Sequence, residues 1–239
     1  MKALFWSAAL AALFVSACGD TEVVPASQLG AKLFSDPKVS TSPFNTYACA
    51  TCHIVAPPAE ESLRRAERLD PGYNLYDTVQ RPSWWGGDKT RLLDAINTCI
   101  FQFMGGRTLQ AAEDPARQLY EYLAVNSGGA PAPALPLTVA RLIGPLGEVA
   151  GDAANGKALY QRSCFRCHGD AKTGAGAPDG RAGIIPLRTT VVFGARAREA
   201  VVEKIRHGRF FGIGGVMPPY SLETLSDVEV ASILAHLEL

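Results

Sequence analysis

The chain has 239 residues, 47% of them hydrophobic and 19% charged, the composition of a folded globular protein rather than a disordered or collagen-like one. Its 23 basic and 23 acidic residues cancel to a formal charge of zero. That balance gives no basic footprint for nucleic acid, and the length allows one large domain or two small ones.

The N-terminus opens with Met1-Lys2 and an apolar run from Ala3 to Ala17, the layout of a signal peptide. The run is short for a membrane span, which needs about 20 residues. It ends Leu13-Phe14-Val15-Ser16-Ala17-Cys18-Gly19, which resembles a bacterial lipobox. The resemblance implies a signal peptide over 1–17, cleavage before Cys18, a lipid on Cys18 and a short tether over 18–26. The protein is then exported and anchored to a membrane face, on the periplasmic or cell-surface side. Ordinary cleavage after small residues, with Cys18 incidental, is the alternative.

Residues 27–125 and 151–239 follow one plan. In the first, a helix over Gln28–Phe34 leads to Cys49-Ala50-Thr51-Cys52-His53; in the second, Ala153–Arg162 leads to Cys164-Phe165-Arg166-Cys167-His168. Cys-x-x-Cys-His is the attachment signature of c-type haem. Two thiols three positions apart each form a thioether to one vinyl group of a porphyrin, and the adjacent His presents its imidazole to the iron. A lone Cys-x-x-Cys also suits a redox pair or half a zinc site. Two copies, each followed by His, predict two covalently attached haem c groups with His53 and His168 as proximal ligands.

The parallel continues along the chain. Gly30-Ala31-Lys32-Leu33-Phe34 matches Gly156-Lys157-Ala158-Leu159-Tyr160, and middle helices are expected over Thr90–Phe103 and Arg198–His207. A methionine follows each, with His53 to Met104 spanning 51 positions and His168 to Met217 spanning 49. Closing helices follow. Asp114-Pro115 offers an N-cap with Pro at the first helical position, and Ser226-Asp227-Val228-Glu229 is a capping box. Between the halves, residues 126–150 include Ser127-Gly128-Gly129-Ala130-Pro131-Ala132-Pro133-Ala134-Leu135-Pro136, which reads as an interdomain linker.

On these motifs each half resembles a class I cytochrome c domain, most closely through Gly156, the second haem motif, Gly169, Gly208 and Met217-Pro218-Pro219-Tyr220. The resemblance implies an all-α fold of two cytochrome c-like domains in tandem, each with haem between its first and last helices. It also implies that Pro178 supplies a carbonyl to the proximal imidazole of the second haem. Met217, just before Pro-Pro and the closing helix, is the distal candidate there; a neutral, soft thioether raises the potential. His207 and His236 read as surface or structural residues.

For the first haem the distal ligand is Met104 by spacing, or Cys99. Aligning Ala95–Cys99 on Lys204–Gly208 sets Cys99 at the place of Gly208. The segment Ile96 to Gly106 resembles di-haem thiosulfate dehydrogenases and the related di-haem subunit of the sulfur-oxidation complex. That resemblance implies Cys99 as distal ligand and catalytic residue, with a small sulfur anion as substrate. It departs in lacking basic neighbours at Ala95 and Gln102, although Lys89, Arg91 and Arg107 are near in sequence. Trp84-Trp85 either walls the haem, exposes a docking face or, most simply, packs the core. Three functions follow: an electron carrier between redox partner proteins, which is favoured; a sulfur-anion oxidoreductase; and a di-haem peroxidase, which Leu33-Phe34-Ser35-Asp36-Pro37 ahead of the first motif resembles.

Overall fold

The computed structural model describes residues 23–138, 149–177, 185–208 and 216–239. The expected signal peptide, Cys18 and Pro178 lie outside them. The described residues form helices α1 (Ala26–Ser35), α2 (Cys49–Cys52), α3 (Pro58–Glu67), α4 (Leu92–Gln102), α5 (Asp114–Val125), α6 (Ala153–Ser163), α7 (Phe165–His168), α8 (Ile185–Phe193), α9 (Ala197–His207) and α10 (Asp227–His236). The fold is all-α; among the described residues the β-structure is one isolated bridge, Trp84 to Lys89. No described helix is long and apolar enough to cross a membrane.

In each half the first helix crosses the last through a glycine. A Cβ at Gly30 would stand 1.9 Å from the Gln118 carbonyl oxygen of α5, and one at Gly156 would stand 1.8 Å from that of Ser232 in α10. Any side chain there would force the two backbones apart. One turn further on, an aromatic ring secures each crossing: Phe34 lies 5.3 Å from Tyr122 and Tyr160 lies 5.7 Å from His236, centroid to centroid. Gly and aromatic four positions apart share a helix face, so the sequence match of the halves is a match of crossing geometry.

Two apolar clusters fill the halves. Phe34, Val39, Ile100, Met104, Leu109 and Leu119 form the first. Leu159, Tyr160, Val202, Leu225, Ile233 and Leu234 belong to the second, and each such aliphatic burial stabilises by about 1.5–3 kcal/mol. Leu69, from the first half, is 7% exposed and packs in the second cluster. The halves are therefore docked, not merely tethered.

Several boundaries differ from expectation. Helix α3 was not anticipated because it buries no residue, so no apolar stripe betrays it. It is instead built from Pro58 in its first turn, Glu60 and Glu61 at its positive end and Arg64 and Arg65 at its negative end, a charge order that complements the helix dipole. Helix α5 has Glu113, not Asp114, at its N-cap. Asp114 is the first helical residue and pairs with Arg117 at 2.7 Å, while the Glu113 carboxylate accepts from the Gln110 N–H at 2.8 Å. The α10 capping box forms as expected, with the Ser226 N–H donating to the Glu229 carboxylate at 2.7 Å and the Glu229 N–H to Ser226 Oγ at 3.4 Å.

The described part of the Pro/Ala-rich segment lies against the first half as a strap. Gly128 N–H donates to Asp77 Oδ1 at 2.6 Å, and Arg81 Nη1 donates to the Pro133 carbonyl at 2.6 Å. Thr138 N–H donates to the Glu223 carboxylate of the second half at 3.1 Å. Alternating prolines keep the chain extended and leave its carbonyls free to accept, which suits a segment lying in a groove.

Candidate haem sites

The first half encloses a cavity of about 1400 Å³, open mouth included, whose wall holds Cys49, Cys52, His53, Cys99 and Met104. Helix α2 is a single turn, closed by the His53 N–H donating to the Cys49 carbonyl at 3.0 Å. That turn sets the two thiols on one side with the imidazole next to them. His53 Nδ1–H donates to the Tyr73 carbonyl at 2.8 Å. This bond assigns the tautomer and leaves Nε2 as the ligating nitrogen. Burial, more than anything else, holds the imidazole below its ordinary pKa, and the neutral form is the one that binds metal. Behind the ring lies Gly72, where a Cβ would stand 2.3 Å from Cε1. Tyr73 and Gly72 went unread in the sequence, and the Pro71-Gly72 turn signal was the available clue.

Helix α4 runs past Cys99 for one more residue triplet before ending at Gln102, so Cys99 reaches the cavity from a rigid helix. Met104, 6% exposed, reaches it from just beyond the helix end, its carbonyl accepting from Ser40 Oγ at 3.0 Å. Both candidates share the wall. Trp84 and Trp85 also line it, so they wall the cavity rather than simply fill the core. Trp84 Nε1 donates to Thr78 Oγ1 at 2.9 Å, and Trp85 stacks on Phe103 at 6.3 Å. Trp85 has φ of 53°, a left-handed conformation rare for a bulky residue, and the stack helps hold it.

Among the described residues lining this cavity none is Lys or Arg. Lys89 pairs with Asp88 at 2.6 Å, Arg91 with Asp94 at 3.8 Å and Arg107 with Glu113 at 2.8 Å, all outside the wall. A sulfur oxyanion beside Cys99 would be desolvated without a cation, which is costly. The zinc alternative fares no better. Among the described residues no three His, Cys, Asp or Glu side chains converge as a closed zinc site requires.

The second cavity, about 1100 Å³, is lined by Cys164, Cys167, His168 and Met217. Helix α7 supplies the motif turn, with the His168 N–H donating to the Cys164 carbonyl at 3.0 Å and Tyr160 Oη to the Gly169 carbonyl at 3.0 Å. A loop rather than a helix delivers Met217. Helix α9 ends at Gly208, whose φ is 52° and whose Cβ, if present, would stand 2.5 Å from the Met217 carbonyl oxygen. Only glycine tolerates both that conformation and that approach. Arg206, buried on α9, donates through Nη1 to the Leu225 carbonyl at 2.5 Å and through Nη2 to Asp227 at 2.6 Å, tying the loop beyond Met217 to α10. In the first half Asn97 ties the loop beyond Met104 to α4, exchanging bonds of 3.0 and 2.7 Å with Leu109. The alignment of Ala95–Cys99 with Lys204–Gly208 sets these two residues at one position. Their shared role was not evident from sequence, because Asn and Arg have no common chemistry beyond donating to carbonyls. His207 pairs with Glu203 at 2.7 Å and His236 packs on Tyr160; neither is among the described residues lining these two cavities.

Unlike the first cavity, the second has Arg68, Arg162, Arg166 and Lys204 in its wall. Apolar walls, a Cys pair in each, an imidazole fixed in the ligating tautomer at His53 and a soft donor on the facing element fit a covalent haem, and cations at the second cavity suit its carboxylates.

The all-α fold and this donor set fit a c-type cytochrome. Residues 151–237 match the family described as cytochrome C oxidase, cbb3-type, subunit III. Over 89 residues the chain is 35% identical to the Cbb3-type cytochrome c oxidase subunit CcoP of Azospirillum sp. (strain B510). That match covers 36% of this chain and 28% of the relative's length. The second half thus matches a cytochrome c domain, a domain type that implies covalently bound haem c.

Proposed function

We propose that the protein is an exported, lipid-anchored carrier with two covalently attached haem c groups, one in each cavity, passing single electrons between redox partner proteins. The observation that carries this reading is the pair of adjoining cavities, each holding a Cys-x-x-Cys-His motif and a soft distal donor. His53 and Cys99 ligate the first haem, with Met104 as the substitute should Cys99 be removed, and His168 and Met217 ligate the second. The relative is named as a subunit of a cytochrome c oxidase, which favours protein partners over a small substrate.

When bound, haem supplies a one-electron Fe(III)/Fe(II) couple. The chain's residues do the rest. Tyr73 orients the His53 imidazole, Gly208 and Arg206 seat the Met217 loop, and apolar walls exclude water and so limit reorganisation. Export and anchoring rest on the Ala3–Ala17 run and Cys18.

Intact-mass measurement of the protein from bacterial membranes tests the reading. Two haem additions and acyl chains on Cys18 are expected; one haem addition sinks it. In the same preparation, Cys99→Ala should lose the thiolate signature in the low-spin Fe(III) spectrum while the second haem is unaffected. A spectrum identical to wild type assigns the first haem to Met104.

A further inference from the structure

The two cavities are not separate rooms. Tyr47, Cys52, Pro71 and Pro218 line both. Cys52, whose sulfur would carry a thioether of the first haem, thus forms part of the wall of the second cavity, where Cys167 stands.

The wall between them is built from segment 68–71 of the first half. Leu69 is sunk in the second half's apolar cluster, and its N–H donates to the Arg162 carbonyl at 3.1 Å. Arg162 Nη1 donates back to the Arg65 carbonyl at 3.2 Å. Arg68 pairs with Asp70 and donates to the Thr51 carbonyl, the last turn of the first motif. One short segment therefore grips the first haem motif at one residue and the second core at the next.

We infer that the two haems meet thioether edge to thioether edge at Cys52 and Cys167, and that segment 68–71 fixes this contact. The inference rests on the two-haem reading. One electron leaves Fe(II) of the first haem and reduces Fe(III) of the second; no bond is made or broken and no proton need move. Because the wall is docked rather than tethered, the spacing of the haems is set by the Leu69 anchor and not by the length of the connecting segment. The cation asymmetry gives the step a direction. Arg68, Arg162, Arg166 and Lys204 on the second side favour the added negative charge there, and the first side has no Lys or Arg among its described lining residues.

The test is magnetic coupling between the two low-spin Fe(III) centres in the intact protein, read by electron paramagnetic resonance, with haem counted on the same sample. Two haems with coupled signals are expected, the coupling vanishing when either haem is reduced. Two haems without coupling overturn the inference and leave the two-haem reading intact, whereas a single haem overturns that reading. Leu69→Asp sets an unpaired carboxylate in the second core and should abolish the coupling while both haems stay low-spin. Arg68→Gln, which keeps the Leu69 anchor, should retain coupling but lower the potential of the second haem. Coupling that persists in a folded Leu69→Asp protein, or an unchanged second potential in Arg68→Gln, overturns the role of this wall.

Discussion

Met217→His is expected to lower the midpoint potential of the second haem by on the order of a few tenths of a volt, within the roughly 0.8 V that axial ligation spans, and to leave the first haem unchanged. A thioether is neutral and soft and favours Fe(II); imidazole donates more strongly and favours Fe(III). The backbone is already built to present a ligand at this position. Pro218 and Pro219 stiffen the loop, Gly208 lets it pass at 2.5 Å from where a Cβ would stand, and the Tyr220 N–H is held by the Ile205 carbonyl at 2.8 Å. Potentiometric titration followed by absorbance resolves the two haems. An unchanged second potential would mean that Met217 is a wall residue and not a ligand.

Arg206→Leu should destabilise the protein by about 2–4 kcal/mol and loosen the same loop. The side chain is 2% exposed and donates through Nη1 to the carbonyls of Leu225, Tyr220 and Ser221 at 2.5, 3.2 and 3.4 Å. Hydrogen bonds from a charged donor contribute about 1.5–3 kcal/mol each, and buried carbonyls left without a donor cost about 1–3 kcal/mol. These terms are not additive. The ion pair with Asp227 adds little because that carboxylate is half exposed. Denaturant unfolding of holoprotein reads the loss. The charge-transfer band that marks Met–Fe(III) ligation should weaken in the folded variant. A shift under about 0.5 kcal/mol would place Arg206 among surface substitutions of no consequence.

Much of this was legible in the sequence because the halves repeat one another. Gly30 with Phe34 and Gly156 with Tyr160 pointed to equivalent helices, and the structure supplies the reason, a backbone crossing too close for any Cβ. The haem motifs and Met104 were read by spacing, and Met217 also by its place before Pro-Pro and the closing helix; all line cavities. What stayed hidden were features that leave no periodic trace. Helix α3 carries no apolar stripe. The acceptor for His53 is a backbone carbonyl, at Tyr73, and any residue has one. The strap of residues 131–138 looked like a free linker because proline and alanine have little side chain to advertise a contact, yet Leu135 and Leu137 line the first cavity. The docking of the halves hangs on Leu69, one apolar residue in a charged stretch, which pattern reading passes over.

The central claim is that the chain holds two unlike haems, a low-potential one in the first half and a high-potential one in the second. A redox titration of the intact protein monitored by electron paramagnetic resonance tests it most directly. Low-spin Fe(III) intensity integrating to two haems per chain is predicted, with the thiolate/imidazole centre titrating below the methionine/imidazole one. One haem per chain, or a first haem reduced at the higher potential, would contradict it.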